Sequence, residues 1–87
     1  MRELVVRREK TLIISCSTEE GVIKRIKISG DFFAFPEDSI DKLEKELIGK
    51  EVSDVEKVVR GSLEGCVLVG ISLEDIVEAL RRVIQPP

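Results

Sequence analysis

Cys16 and Cys66 are the strongest nucleophiles in this sequence, and neither has the company that nucleophilic catalysis requires. A catalytic thiol or hydroxyl is normally activated by a neighbouring base, most often histidine, and the sequence contains no histidine. Ile13-Ile14-Ser15 precedes Cys16 and Val67-Leu68-Val69 follows Cys66, with no evident cation to lower either thiol pKa. The two form no Cys-x-x-Cys pair, so the sulfur and nitrogen ligands of a zinc site are missing. They read as small buried hydrophobes; a disulfide between them is the alternative, unusual in a cytosolic protein outside hyperthermophiles. Phosphate-binding loops of the Gly-x-Gly-x-x-Gly or Gly-x-x-x-x-Gly-Lys-Ser/Thr type do not occur, and Gly61-Ser62-Leu63-Glu64-Gly65 has no lysine after its second glycine. The carboxylates fall mostly at helix starts or on polar faces, their ordinary structural place. No residue is therefore assigned a catalytic or metal-ligating role.

The aromatic residues are the other feature with chemical weight. All three, Phe32, Phe33 and Phe35, lie within four positions. In an extended chain residues 32 and 33 point to opposite sides. One belongs to the core and the other lies nearer the surface, where aromatics anchor interfaces. Gly30 permits a positive φ or a close backbone approach, and Asp31 is placed to accept backbone hydrogen bonds in a turn. Gly30, Asp31, Phe32 and Phe33 are the candidate partner-contacting residues.

The elements that must position them follow from periodicity. Leu4-Val5-Val6 is a short apolar run, and Arg8-Glu9-Lys10 suits a tight reversal. Thr11 to Ser17 alternates, with Leu12, Ile14 and Cys16 on one face, the pattern of a half-buried strand. Thr18-Glu19-Glu20-Gly21 reads as a hairpin loop. In Val22 to Ser29, Val22, Ile26 and Ile28 are expected inward and Arg25, Lys27 and Ser29 outward. After the Gly30–Pro36 junction, a helix is predicted over Glu37 to Ile48, with Ile40, Leu43 and Leu47 inward, Glu44, Lys45 and Glu46 outward, and Gly49 as a left-handed cap. Ser53-Asp54-Val55-Glu56 matches a capping box and predicts a second helix, ended by Gly61 and Gly65. Cys66 to Val69 is a buried loop or a fourth strand; periodicity does not decide. The last helix is expected to be capped by Ser72 with Asp75, stapled by Ile71 and Ile76, and striped by Leu73, Ile76, Val77, Leu80 and Ile84; Arg81 and Arg82 lie at the negative end of its dipole. Strands first and helices after predict one α+β domain over residues 1–87: a three-stranded antiparallel meander followed by three helices packed on one face.

Composition narrows the function classes. A hydrophobic fraction of 43% excludes wholesale disorder, and 36% charged residues imply a well-solvated surface. Net charge is −3, and the basic stretches Arg7-Arg8-Glu9-Lys10 and Lys24-Arg25-Ile26-Lys27 are too short for the cationic footprint of a nucleic-acid binder. No stretch approaches the ~20 apolar residues of a membrane span, and Met1-Arg2-Glu3-Leu4 opens no signal peptide; the expectation is a soluble cytoplasmic protein. A single glutamine, no asparagine, and abundant Glu, Lys, Arg, Val and Ile point to a thermophilic source.

Three stretches are recognisable as a family pattern. Gly21-Val22-Ile23-Lys24-Arg25-Ile26-Lys27-Ile28-Ser29-Gly30-Asp31-Phe32-Phe33 resembles the C-terminal accessory domain of bacterial lipoate-protein ligases. Leu43-Glu44-Lys45-Glu46-Leu47-Ile48-Gly49 is similar to its Leu-Glu-x-x-Leu-x-Gly helix, and Gly70 to Ile76 to its late Gly-Ile-Ser element. Together the likeness covers roughly residues 10 to 83. It implies a non-catalytic accessory subunit, free-standing as in some archaea, that forms a heterodimer with a separate catalytic subunit. On that catalytic subunit, lipoate and ATP with magnesium would give lipoyl-adenylate and then a lipoylated lysine; no cofactor is implied for this chain. The start at Met1 with no catalytic domain upstream suits that split arrangement. The same domain resembles iron–sulfur assembly proteins in general fold, so a scaffold or sulfur-transfer module, which needs an exposed reactive cysteine, is the alternative.

Overall fold

A computed structural model describes residues 2–84. Strands β1 (Arg2–Arg7), β2 (Thr11–Glu19) and β3 (Val22–Gly30) form an antiparallel sheet in that spatial order. β4 (Phe33–Phe35), helix α1 (Ser39–Leu47), helix α2 (Val55–Ser62), β5 (Val67–Val69) and helix α3 (Leu73–Ile84) follow. α3 packs across β1 and β2, α1 lies against β3, and α2 is wedged between the other two helices. The predicted α+β arrangement, a meander followed by three helices on one face, is the one observed.

Alternation along β2 builds the core: Leu12, Ile14 and Cys16 are buried beneath the helices, together with Ile28 from β3 and Val6 from β1. From above they meet Leu43 and Leu47 of α1, Val55 and Val59 of α2, and Ile76, Val77, Leu80 and Val83 of α3. Each such Leu or Ile, taken fully out of water, contributes about 1.5–3 kcal/mol. Leu73 and Ile84, expected in the α3 stripe, are only half-buried at its ends, and Ala79 and Val83 are buried instead.

β3 departs from simple alternation. Ser17 pairs with Arg25, but Thr18 pairs with Ile23, so Lys24 is an extra residue in a β-bulge. The bulge shifts the phase by one. Ile23 is buried, and Val22, expected inward, is only half-buried. The hairpin is also tighter than the four-residue loop expected. Thr18 and Glu19 remain in β2, and only Glu20 (φ 53°) and Gly21 (φ 77°) turn the chain. Two consecutive positive φ values make a turn whose twist matches that of the strands.

The helix ends show which local signals hold. At α3 the capping box is complete: Ser72 Oγ accepts the Asp75 N–H at 3.0 Å, and Asp75 Oδ2 accepts the Ser72 N–H at 2.9 Å. Ile71 and Ile76 are both buried beneath it, as a hydrophobic staple requires. The box predicted at Ser53 does not form. Val52–Asp54 is a 3₁₀ turn without side-chain capping, and Glu56 reaches Arg60 and Arg81 instead. Two cations outcompete one backbone N–H for that carboxylate. Gly61 lies inside α2 and not at its end, which comes at Ser62. α1 begins at Ser39, two residues later than predicted; the Ser39 hydroxyl and N–H both donate to the Pro36 carbonyl. Glu44, expected outward, bends back so that its carboxylate accepts the Ile28 N–H at 2.6 Å on the edge of β3.

Candidate functional site

The Gly30–Phe35 junction is built from its first two residues. Gly30 has φ 144°, and a Cβ there would collide with the Thr11 carbonyl oxygen. Asp31 Oδ1 accepts the Thr11 N–H at 2.6 Å. Glycine lets the end of β3 press on the start of β2, and the aspartate ties the two together. Both residues are thereby given structural work: they aim the chain that follows.

That chain divides as opposite-pointing neighbours must. Phe32 is half-buried and packs on the core, while Phe33 is 56% exposed. Phe33 begins β4, which pairs with β5 in a separate two-stranded antiparallel ribbon: Phe33 opposite Val69, Ala34 opposite Leu68, Phe35 opposite Val67. Cys66–Val69 therefore contains a strand, but it joins this ribbon and not the main sheet. Ala34 and Leu68 form the half-buried inner face, with Leu68 against the core. Phe35 (49%), Val67 (57%) and Val69 (46%) are exposed like Phe33. Four large apolar side chains thus share the outer face of one short ribbon. Single exposed apolar residues need no explanation, whereas neighbouring ones on one face make a candidate contact surface.

Beside the patch lies an open groove of about 590 Å³, whose lining includes Phe32, Phe33, Phe35 and Ile40 together with Glu37 and Asp41. Asp38 next door is occupied by Lys42 at 3.3 Å. Among the described residues, Glu37 and Asp41 have neither an ion pair nor a side-chain hydrogen bond.

Of the two cysteines expected to be buried, Cys16 is buried and Cys66 only partly so. Both are free thiols. Cys16 is enclosed in the core, and burial pushes its thiol pKa up, slightly offset by Arg2, away from the reactive thiolate. Cys66 is half-buried at the base of the ribbon, its Sγ 3.3 Å from Ser39 Oγ. Among the described residues no group of three or more His, Cys, Asp or Glu is arranged to hold a metal ion, and no helix is long and apolar enough to cross a membrane.

Of the four residues singled out from sequence, Gly30 and Asp31 shape the turn, Phe32 packs on the core, and Phe33 lies on the outer face of the ribbon, while Gly30, Phe32 and Phe33 all line the groove. Phe35, Val67 and Val69 were missed. Their signal was weak: Phe33-Ala34-Phe35 and Val67-Leu68-Val69 are both apolar triplets, the second lying between glycines at 65 and 70, but residue size does not mark the outward positions, since Leu68, larger than its two valine neighbours, is the one turned inward. The register Phe33–Val69 and Phe35–Val67 puts all four end residues on one side.

Comparison with known proteins gives consistent matches. The family model for the bacterial lipoate protein ligase C-terminus matches residues 11–80. Lipoate-protein ligase A subunit 2 of Thermoplasma acidophilum is 45% identical over 60 residues, which are 68% of this chain and 64% of that protein, so the alignment spans just under two thirds of that relative's length. A solved chain from a study of an archaeal lipoylation system, a bipartite lipoate protein ligase and its E2 lipoyl domain from the same organism, superposes with a TM-score of 0.79. It is 32% identical, and the match covers 91% of this chain and 97% of that one.

Proposed function

This chain belongs to the lipoate protein ligase C-terminal family, and from that premise we propose that it is the small, non-catalytic component of a two-part ligase. It acts in the cytoplasm as a heterodimer with a larger component. That component holds lipoate and ATP with magnesium, forms lipoyl-adenylate and passes the lipoyl group to an acceptor lysine. This chain contributes a surface, and the four-residue apolar face of the β4–β5 ribbon is that surface. The carrying observation is that face: Phe33, Phe35, Val67 and Val69 are each about half exposed on a domain whose structural match comes from a study of a bipartite ligase. Apolar side chains that ordinary folding would cover are what a permanent partner covers. Docking there would shape or close the partner's adenylation site, a conformational role that asks no catalytic group of this chain.

The test is lipoyl-adenylate formation by the purified larger component, with and without this chain. Formation is expected to depend on it. Equal formation in its absence would end the proposal. The scaffold or sulfur-transfer reading lacks an exposed cysteine to work with; rapid labelling of Cys66 by a thiol reagent in the folded protein would restore it.

A further inference from the structure

From the groove beside the ribbon we infer that the larger component inserts a lysine or arginine side chain between the aromatic wall of Phe33 and Phe35 and the carboxylates of Glu37 and Asp41. The inference rests on the docking role proposed above and specifies the chemistry of the partner's surface.

The groove has a mixed lining. Phe32, Phe33, Phe35 and Ile40 give it hydrocarbon and aromatic surface. Glu37 and Asp41 line it too, both exposed and, among the described residues, without a cationic partner. Asp38 and Lys42, beside them, neutralise each other. The two free carboxylates are therefore left over after local pairing. The groove is continuous with the apolar ribbon face, since Phe33 and Phe35 line both.

A ligand matching both parts of that lining needs an apolar stem and a positive head. Lysine and arginine are the side chains with that form, laying methylene groups on apolar surface while the charge stays at a polar edge. The aromatic faces add cation–π attraction. A wholly apolar insert would leave the carboxylates facing a drying interface without compensation, which is costly. An anionic insert would be repelled. A charge at the edge of an apolar docking face acts mainly on the encounter and on partner choice.

The experiment measures association of this chain with the larger component of its own ligase, at about 50 mM and about 500 mM NaCl. Three forms are compared: wild type, Glu37→Lys/Asp41→Lys and Phe33→Ser/Phe35→Ser. Wild-type association is expected to weaken about tenfold across that range, mostly in the association rate. The charge-reversed form is expected to bind about tenfold or more weakly at low salt and to lose that salt dependence. If it binds like wild type at both salts while the phenylalanine variant fails, the inference is overturned and the docking role stands. Should the phenylalanine variant also bind like wild type, or wild type not bind at all, the docking role falls and the inference with it. Melting temperatures close to wild type, expected because both substituted carboxylates are exposed, separate a lost contact from a lost fold.

Discussion

The main sheet and the β4–β5 ribbon follow the same rule and put it to opposite use. In β2, alternation sends Leu12, Ile14 and Cys16 under three helices. In the ribbon, alternation sends Phe33, Phe35, Val67 and Val69 away from the body of the domain, with only Ala34 and Leu68 turned inward. Period two sorts side chains between two faces; it does not say which face will be covered. Coverage comes from what lies above. α3 and α1 span the sheet, while no described element caps the ribbon. Alternating apolar residues of a strand pair therefore mark the core in one place and an uncovered face in the other.

The sharpest way to test this contrast is to truncate one residue on each side. Leu80→Ala, at a fully buried site on α3, is expected to cost about 2–5 kcal/mol. Phe35→Ala should lower stability far less, because half of that ring is already in water. Urea unfolding of both variants measures the gap; equal losses would mean that the ribbon face is core after all. Next in size is Gly30→Ala. It forces a side chain onto the Thr11 carbonyl at φ 144° and should cost about 1–3 kcal/mol, with the ribbon's aim disturbed and partner binding lowered as well.

Ser72→Ala removes the side-chain half of the α3 cap and should cost about 1 kcal/mol by thermal or chemical unfolding. Its counterpart Asp75 adds a pH signature. Burial pushes that carboxyl's pKa up, but the Ser72 N–H, the Arg8 guanidinium at 3.0 Å and the Ser72 hydroxyl outweigh it, so the group titrates below its ordinary value. A folded pKa below the unfolded one stabilises the protein above the unfolded carboxylate pKa, near 3.9, and that contribution disappears as pH falls through the folded value. Asp75→Asn should thus lower stability at neutral pH and make the acid limb of the stability curve shallower. A parallel curve would refute the assignment. The smallest effect is expected for Arg60→Ala. Arg60 bridges Glu56 and Glu74 across α2 and α3, but the group is solvent-facing and screened. Its loss should move the melting temperature less than Ser72→Ala does, and the shift should fade in high salt.

How much of this was legible in the sequence depends on the range of the interaction. Signals complete within four residues were readable: the α3 capping box, the left-handed Gly49 (φ 87°) after α1, and the alternation of β2. Signals with a distant competitor were not. The box at Ser53 failed because Arg81, 25 positions beyond Glu56, was also within reach of that carboxylate. Glu44 turned inward because the edge of β3 offered an N–H. The bulge at Lys24 depends on register against β2, and no periodicity within β3 alone reveals it. The candidate site shows the same division. That Phe32 and Phe33 point to opposite sides was readable; which of them faces out was not. Phe33's companions Val67 and Val69 lie more than thirty positions away, and only the pairing of β4 with β5 brings them alongside.

The central claim, that the uncovered ribbon face is the surface by which this chain joins a larger ligase component, is tested most directly by light scattering on an equimolar mixture of the two proteins. Wild type should give a single 1:1 complex, and Phe33→Ser/Phe35→Ser should leave two separate species while melting close to wild type. A double variant that forms the complex as readily as wild type would contradict the claim.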